Sequence, residues 1–452
     1  MKLLAICYYA PPQLTPQAIQ IGRQLFHLDA EVTLLHGREP QFAATFDQYP
    51  DFFARIAPLA VPNPGPPLRG LAHRAALRLL PLYGACPDLF GPWRRRALAP
   101  ALAHIARARP DAILSFGMPM SGHLLARQLV RRTGLPWLAH FSDPWADNPF
   151  HETSWLEHQV NTALERGVIA QADGLLFTSC RTLALVMAKY PDACKRKAAV
   201  LPHAWDMDHF ARPLAPRQAR CGVKVVRHIG ACYGARSPAP LFEALARILA
   251  RRPPALDGVA FEFVGHVAPA LLACAAFKAL PPGLVRMQGQ LGYRASLQLA
   301  RYSDALLVID APSATDSVFL PSKLVEYIGA ARPVWAITPP GTVAELVAEW
   351  NGQAALCADP GDVEAVVRMV LAGLAALDRR DGGVDADACD RFEAGDAPGA
   401  ARAQAGAAQV RQRFAAPRVA RSLLQQAEHA IARATARSRP IAGNANETAL
   451  RR

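Results

Sequence analysis

The residues best suited to chemistry stand in the segment P-S-K-L-V-E-Y, which begins at Pro321. Lys323 and Glu326 are three residues apart in it, so one helical turn would place both side chains near the start of a helix. A helix N-terminus and a lysine both favour a diphosphate, and a carboxylate can accept hydrogen bonds from two ribose hydroxyls. The segment is therefore a candidate nucleotide site. The alternative is a surface ion pair worth about 0.2–0.5 kcal/mol.

A second group of reactive side chains lies in W-L-A-H-F-S-D-P-W, which runs from Trp137 to Trp145. His140 and Asp143 are residue types that transfer protons, and they would stand at the end of a buried strand. Trp145 could stack on a sugar, whereas Asp143 could instead cap the turn that follows the strand. We interpret the segment as part of an active site, with Asp143 and His140 as catalytic candidates.

Short apolar runs that alternate with helical patterns must position these residues. The predicted strands are Leu3–Cys7, Val32–His36, Ala112–Phe116, Trp137–Phe141, Leu175–Ser179, Ala199–Pro202, Val223–Gly230, Phe261–Gly265, Leu284–Gly289, Ala305–Asp310 and Val334–Thr338. Continuous apolar strands separated by helices form parallel sheets covered on both faces, and two such series predict two Rossmann-like domains. Ligands of these sheets bind at the carboxyl ends of the strands, and with two domains the expected site is the cleft between them.

Changes in composition along the chain divide it into parts. They are an N-terminal domain (1–211), a C-terminal domain (222–377), a loose insertion or linker (378–409), a C-terminal helix (410–430) and a disordered tail (438–452). Thr15 followed by Pro16 predicts the start of the first helix, because threonine caps helices and proline suits their first turn.

The charge is concentrated in two places. The net charge is +13, and eleven Arg with only two Asp lie in residues 69–132, while ten Arg with two Glu lie in 398–452. Such blocks suggest an anionic partner surface, and the alternation of Arg with Leu and Ala after Leu68 suits a lipid interface. Trp93, directly before Arg94–Arg96, is an aromatic residue suited to the headgroup layer. A solvated basic face is the alternative. No zinc-finger, RNP or KH pattern appears, so no nucleic-acid partner is expected.

Cysteine usage and hydropathy indicate the compartment. The nine cysteines form no C-x-x-C pair, which argues for reduced thiols, and no run of 18 apolar residues suggests a membrane-spanning helix. We expect a cytoplasmic protein, peripheral on the inner membrane face.

The segment around Glu326, with its following small residues and Pro-Val, resembles the donor-binding motif of GT-B glycosyltransferases of the GT4 type. In that family a helix carries a glutamate for the ribose, and Glu326 matches it. The stretch V-L-P-H-A-W-D-M-D-H-F from Val200 is similar to the family's V-x-P-N-G-V-D-x-x-x-F. The D-P-W at Asp143 resembles the D-x-W of a bacterial subgroup that acts on surface polysaccharides.

The resemblance implies an α/β GT-B fold, in which two Rossmann-like domains with parallel sheets face each other across a cleft. It implies transfer of a hexosyl group, with retention, from a nucleotide-diphosphate sugar to a lipid-linked or polysaccharide acceptor bound by the N-terminal domain. Arg236 and Lys323 would offset charge on the leaving diphosphate, so neither a metal nor a separate cofactor is expected. Donor contacts are implied at Gly230, Tyr233, Gly265, Leu320, Ser322 and Glu326.

The chain departs from the family pattern at two donor positions. Val318 stands where the family often has a first glutamate, eight residues before the second, and Ala231 stands at its first basic diphosphate position. Two alternatives stay open: a sugar-nucleotide epimerase on the same fold, and a non-catalytic, membrane-binding GT-B relative. An epimerase would need acidic residues for proton transfer and elimination, and the sequence indicates no such set.

Overall fold

A computed structural model describes residues 1–13, 15–38, 52–66, 68–80, 82–83, 86–150, 153–210, 222–313, 315–378 and 398–438. Residues 379–397 of the predicted insertion (378–409) and residues 439–452 of the predicted tail (438–452) lie outside this description. The chain forms two units. The first comprises residues 1–178, 183–201 and 420 onward, and the second comprises 179–182 and 202–419.

The first unit is built on a parallel sheet with the strand order β3-β2-β1-β4-β5-β6-β7. Its strands are β1 (Lys2–Ile6), β2 (Glu31–Arg38), β3 (Ala57–Pro62), β4 (Ala112–Gly117), β5 (Trp137–Phe141), β6 (Gly174–Phe177) and β7 (Ala198–Val200). The intervening helices are α1 (Pro16–Phe26), α2 (Phe52–Arg55), α3 (Gly70–Leu79), α4 (Gly91–Ala108), α5 (Ser121–Thr133), α6 (Trp155–Gln171), α7 (Cys180–Met187) and α8 (Asp192–Lys195). The start of α1 is as predicted: Thr15 caps it by accepting from the Ala18 amide, with Pro16 in the first turn.

The second unit is built on a parallel sheet with the order β10-β9-β8-β11-β12-β13. Its strands are β8 (Lys224–Ile229), β9 (Val259–Val264), β10 (Val285–Gln288), β11 (Ala305–Ile309), β12 (Val334–Ile337) and β13 (Cys357–Ala358). Its helices are α9 (Ala239–Arg251), α10 (Pro269–Leu272), α11 (Ala275–Lys278), α12 (Tyr293–Arg301), α13 (Ser322–Gly329), α14 (Thr342–Asn351), α15 (Val363–Asp378) and α16 (Pro398–Arg413). A last helix, α17 (Ala416–Ser438), follows.

The hydrophobic core lies on both faces of the second sheet, which explains why its strands are continuously apolar. On β11, Leu307 and Ile309 join the cluster that α9 and α15 cover. Leu306 and Val308 point to the other face and join the cluster formed with α13 and α14. Because both faces of the strand are buried, polar side chains are confined to its ends.

The C-terminal region contains two helices, whereas the sequence suggested one over 410–430. The chain leaves helical geometry at Phe414 and Ala415 because it pairs there with Trp205. The Trp205 amide donates to the Phe414 carbonyl at 2.9 Å, and the Ala416 amide donates to the Trp205 carbonyl at 2.8 Å. These bonds use backbone groups that a continuous helix would need. The helix α16 also begins inside the stretch for which the sequence showed no period.

Candidate functional site

The carboxyl edge of the second sheet carries a cluster of charged residues around the start of α13. Tyr327 fixes this helix to the end of β8, because its hydroxyl accepts from the Ile229 amide at 2.8 Å and donates to the Ile229 carbonyl at 3.2 Å. The residue before the helix, Pro321, offers no side-chain cap. The start of α13 therefore lies close to the end of β8, and a helix start without a side-chain cap favours an anion.

Two glycines bring backbone close together at this edge. Gly230 and Gly265 have φ angles of 137° and 128°, which side chains rarely adopt. A Cβ on Gly265 would lie 2.7 Å from the Gly230 carbonyl oxygen, and a Cβ on Gly230 would lie 2.9 Å from Lys323 Nζ. Both positions therefore require glycine, and the space in front of Gly230 is shared with the Lys323 ammonium.

The Lys323 ammonium lies among several charged groups. Burial lowers the pKa of Lys323 to about 8, and the positive charge of Arg236 acts in the same direction. Cys232, Asp310 and Glu326 oppose that shift. Lys323 is therefore still mostly charged at pH 7 but loses its charge as the pH rises through about 8. A partly desolvated cation of this kind attracts a phosphate strongly.

Arg236 is held by Asp310, a residue that sequence reasoning did not select. Arg236 Nη2 lies 3.6 Å from Asp310 Oδ1, and the Asp310 side chain is 2% exposed. The same carboxylate accepts from the Ala311 amide at 2.9 Å and from the Ser317 hydroxyl at 3.3 Å. The sequence signal that could have identified Asp310 is its position directly after the apolar run of β11. This ion pair holds the guanidinium of Arg236, which comes from the loop after β8, beside the end of β11.

Glu326 receives a hydrogen bond at 2.6 Å from the Tyr293 hydroxyl to its Oε1 atom. Tyr293 is the first residue of α12, and nothing in the sequence connected it with Glu326. The hydroxyl is a donor to one carboxylate oxygen, so it holds the carboxylate in one orientation. A carboxylate fixed in this way is suited to accept hydrogen bonds from a ribose.

The other implied donor residues lie around this cluster in different environments. Ser322 is the first residue of α13. Tyr233 is 58% exposed in the loop after β8, and its carbonyl accepts from the Arg236 amide at 3.1 Å. Leu320 is 6% exposed and packs in the core beneath α13. Val318 is 8% exposed, so its position is part of the packed interior.

His140 and Asp143 lie at the carboxyl end of β5 in the first unit. His140 is 2% exposed, its Nε2 lies 3.5 Å from the Leu201 carbonyl, and burial lowers its pKa to about 4. The imidazole is therefore neutral at pH 7 and is shielded from solvent. Asp143 is partly exposed, and burial raises its pKa to about 6. It is mostly ionised at pH 7 and can take up a proton, as a general base must.

The suggestion that Trp145 stacks on a sugar is wrong for this structure. Trp145 is 7% exposed and belongs to the core of the first unit. Its indole Nε1 donates to Asn161 Oδ1 at 3.0 Å. A buried tryptophan whose polar atom is satisfied internally offers no ring face to a ligand.

Among the residues that the structure describes, no group of three or more His, Cys, Asp or Glu side chains could hold a metal ion. None of the helices in that part of the chain is both long and apolar enough to cross a membrane.

The chain matches no protein-family model and no curated protein sequence. Solved structures do share its fold. Anabaena Alr3699/HepE in complex with UDP is 16% identical with a TM-score of 0.61, covering 95% of this chain and 100% of that chain. The lipopolysaccharide outer core galactosyltransferase WaaB is 13% identical with a TM-score of 0.56, covering 94% and 99%.

A further fold relative comes from Listeria monocytogenes and is described as a UDP-N-acetylglucosamine 2-epimerase. It is 15% identical with a TM-score of 0.54, covering 94% of each chain. Together with the two parallel sheets, these likenesses confirm the predicted α/β GT-B fold class. At this level of identity they show the fold alone.

Proposed function

We propose that this protein is a glycosyltransferase of the GT4 type that moves a hexosyl group, with retention, from a nucleotide-diphosphate sugar to a lipid-linked or saccharide acceptor. The observation that carries the proposal is the cluster around Gly230, where Lys323, Arg236 and Glu326 meet at the carboxyl edge of a doubly wound sheet. Such an edge is where parallel α/β sheets bind nucleotides.

Each member of the cluster suits one part of the donor. Negative charge develops on the diphosphate as the bond to the sugar breaks, and Lys323 and Arg236 would stabilise it. Glu326 would accept hydrogen bonds from the ribose. Gly230 and Gly265 keep the surface free of side chains, so the phosphates can approach the backbone. In the first unit, Asp143 would accept a hydrogen bond or a proton from the acceptor hydroxyl.

Uridine nucleotides are the first donors to test, because HepE, which shares the fold, was solved with UDP and with UDP-glucose. In a thermal-shift panel of nucleotide sugars, one donor at about 100 times its Kd should add about 2.7 kcal/mol of stability. For domains of this size that corresponds to a Tm increase of roughly 5–10 °C. A panel in which no nucleotide sugar moves the Tm by more than the free sugars do would contradict the proposal.

The epimerase alternative is separated by product analysis. A transferase releases nucleoside diphosphate in proportion to the acceptor consumed. A nucleotide-sugar epimerase instead interconverts two sugar nucleotides without any acceptor. Chromatography of a reaction that contains donor but no acceptor therefore distinguishes the two. A new sugar nucleotide in that reaction would favour the epimerase.

A lipid-linked acceptor requires contact with a membrane, and α3 is suited to provide it. Only Ala76 of this helix is buried. Leu71 and Leu79 are 81% and 73% exposed, and the side chains of Arg74 and Arg78 are also exposed. Leucines and arginines displayed together on one helix fit an anionic bilayer surface.

The aromatic residue expected at this surface has to be reassigned. Trp93, which the sequence placed next to the Arg94–Arg96 cluster as a headgroup contact, is fully buried in the core of the first unit. Trp155, at the start of α6, is 75% exposed instead. His73 of α3 bonds the Tyr83 hydroxyl at 2.9 Å, and Cys86 Sγ lies 3.9 Å from the Glu157 carbonyl of α6.

We expect the protein to co-sediment with vesicles that contain anionic lipid and to be released by high salt, since electrostatic attachment is screened. Each Arg near such a surface contributes about 1 kcal/mol, so the double change Arg74→Glu with Arg78→Glu should weaken partitioning roughly 30-fold or more. The matched control reverses Arg131 and Arg132, which are exposed on α5. Equal recovery in the supernatant with neutral and anionic vesicles would leave α3 as a solvated surface.

A further inference from the structure

His228 is a buried residue near the end of β8 whose ring orientation is determined by one hydrogen bond. It is 1% exposed, and its Nδ1 lies 2.9 Å from the Leu307 carbonyl oxygen on β11. A carbonyl oxygen only accepts, so Nδ1 carries the proton and donates. In the neutral ring, Nε2 is then left as a hydrogen-bond acceptor.

The Nε2 atom of His228 is buried and makes no hydrogen bond within the described residues. A buried acceptor without a donor costs free energy, so such an atom points to a donor that reaches it in another state of the protein. The ring cannot supply charge of its own, because burial, together with the charge of Lys323, lowers the pKa of His228 well below its ordinary value.

The Lys323 ammonium is a mobile donor on the same side of Gly230 as this atom. Nε2 of His228 and Nζ of Lys323 lie 4.0 Å and 2.9 Å from the point that a Cβ of Gly230 would occupy. The two nitrogens are therefore neighbours across a space that exists because residue 230 is glycine. Among the described residues, no carboxylate forms an ion pair with Lys323.

We propose that His228 is a positioning residue for Lys323. Its Nε2 accepts a hydrogen bond from one N–H of the ammonium, which leaves the other two N–H groups directed at a bound diphosphate. The diphosphate part of this inference rests on the proposed function, whereas the contact between the two side chains does not. A neutral acceptor in this place holds the ammonium without neutralising it, so its full charge stays available to the ligand.

The groups that face Lys323 determine what the contact does to its titration. Arg236 and Cys232 face it from the loop after β8, Asp310 from the end of β11, and Glu326 from its own helix. Burial is the largest influence and lowers the pKa of Lys323 to about 8. An acceptor that bonds the ammonium stabilises the charged form. Loss of that acceptor should therefore lower the pKa further, and Lys323 should lose its charge at a lower pH.

Two substitutions separate this role from a structural one. In His228→Asn the amide can replace Nδ1 and keep the bond to Leu307, but no acceptor remains at the Nε2 position. In His228→Gln the longer side chain can place its carbonyl oxygen near the Nε2 position. If His228 were needed only for its bond to Leu307, His228→Asn would change the pKa of Lys323 less than His228→Gln does. The proposal requires the opposite order, with the smaller change in His228→Gln.

The measurement is the pH dependence of Lys323 acetylation by acetic anhydride, followed by mass spectrometry, with the exposed Lys278 as internal reference. The midpoint should be the same in the wild type and in His228→Gln, because both offer an acceptor to the ammonium. It should lie about one pH unit lower in His228→Asn, which makes acetylation of Lys323 about tenfold faster at a pH well below both midpoints. Unfolding cannot imitate this result, because an unfolded lysine titrates near 10.4 and the midpoint would rise.

An unchanged midpoint in His228→Asn, or the same decrease in both variants, would overturn the proposal. A second readout uses the wild-type protein. The His228 Nε2 signal in ¹⁵N spectra should shift between pH 7 and 9 and should not shift in Lys323→Met, and a signal that stays still in both also overturns it. Neither readout needs a sugar nucleotide. If both readouts give the expected result but the protein binds no nucleotide, the contact between His228 and Lys323 stands and only the proposed function is rejected.

Discussion

Replacing Glu326 with alanine should weaken the binding of the donor nucleotide by at least about 100-fold while the protein stays folded. The Tyr293 hydroxyl holds the Glu326 carboxylate at 2.6 Å. In this position, one turn into α13, the carboxylate can accept hydrogen bonds from two ribose hydroxyls. A hydrogen bond to a charged group contributes about 1.5–3 kcal/mol, so the loss of two accounts for a change of this size. Isothermal calorimetry with UDP and with the best donor of the panel measures it.

Two further variants define what the Glu326 result means. Glu243→Ala removes an exposed glutamate from α9 of the same unit and should leave the Kd unchanged. Tyr293→Phe keeps the Glu326 carboxylate but removes the group that orients it, so its effect should be intermediate. Donor affinity that survives Glu326→Ala would exclude this residue from the site, whatever the other two variants do.

Arg236→Ala and Lys323→Ala should each lower kcat by about 30- to 1,000-fold, which corresponds to about 2–4 kcal/mol of barrier. KM should change much less, because charge on the diphosphate grows in the transition state and contacts to it act mainly there. Steady-state kinetics with the donor identified in the panel tests this. A pure increase in KM in both variants would show that the two side chains only bind the ground-state donor.

The pH profile gives an independent check on Lys323. Its pKa is lowered to about 8 by burial and by Arg236, so the charged form is complete at acidic pH and is lost as the pH rises through about 8. Wild-type kcat/KM should therefore decrease above that pH. In Lys323→Ala this alkaline limb should disappear. The exposed Lys278 supplies the matched control, and Lys278→Ala should retain the wild-type profile.

The strand predictions succeeded where burial on both faces produces a continuous apolar run. Each predicted strand overlaps an observed one, and β5 has the predicted bounds. Two edge strands were missed. β3 contains Pro58 and Pro62 and is mostly exposed, so it lacks the apolar run, and proline is tolerated there because an edge strand has one side unpaired. β13 has only two residues and is defined by its pairing with β12.

Tryptophan roles could not be read from residue type. Trp93 and Trp145 follow patterns that suggested a headgroup contact and a sugar platform, yet both are core residues. The exposed Trp155 carried no signal in the sequence. An aromatic ring suits a core and a binding surface equally well, and only the packing of neighbouring helices decides which of the two it joins.

The sequence by itself determined the α/β architecture, because the alternation of apolar runs with helical patterns is a local property of the chain. It also determined which strand ends and loops carry Gly230, Lys323 and Glu326, since their positions can be read directly from the sequence. Only the tertiary structure decided which groups act on them. Asp310 reaches Arg236 across 74 residues of chain, and Tyr293 reaches Glu326 across 33. These partners come together because β8 and β11 end, and α13 begins, at one edge of the sheet. Contacts of that kind depend on strand order, which residue spacing does not encode.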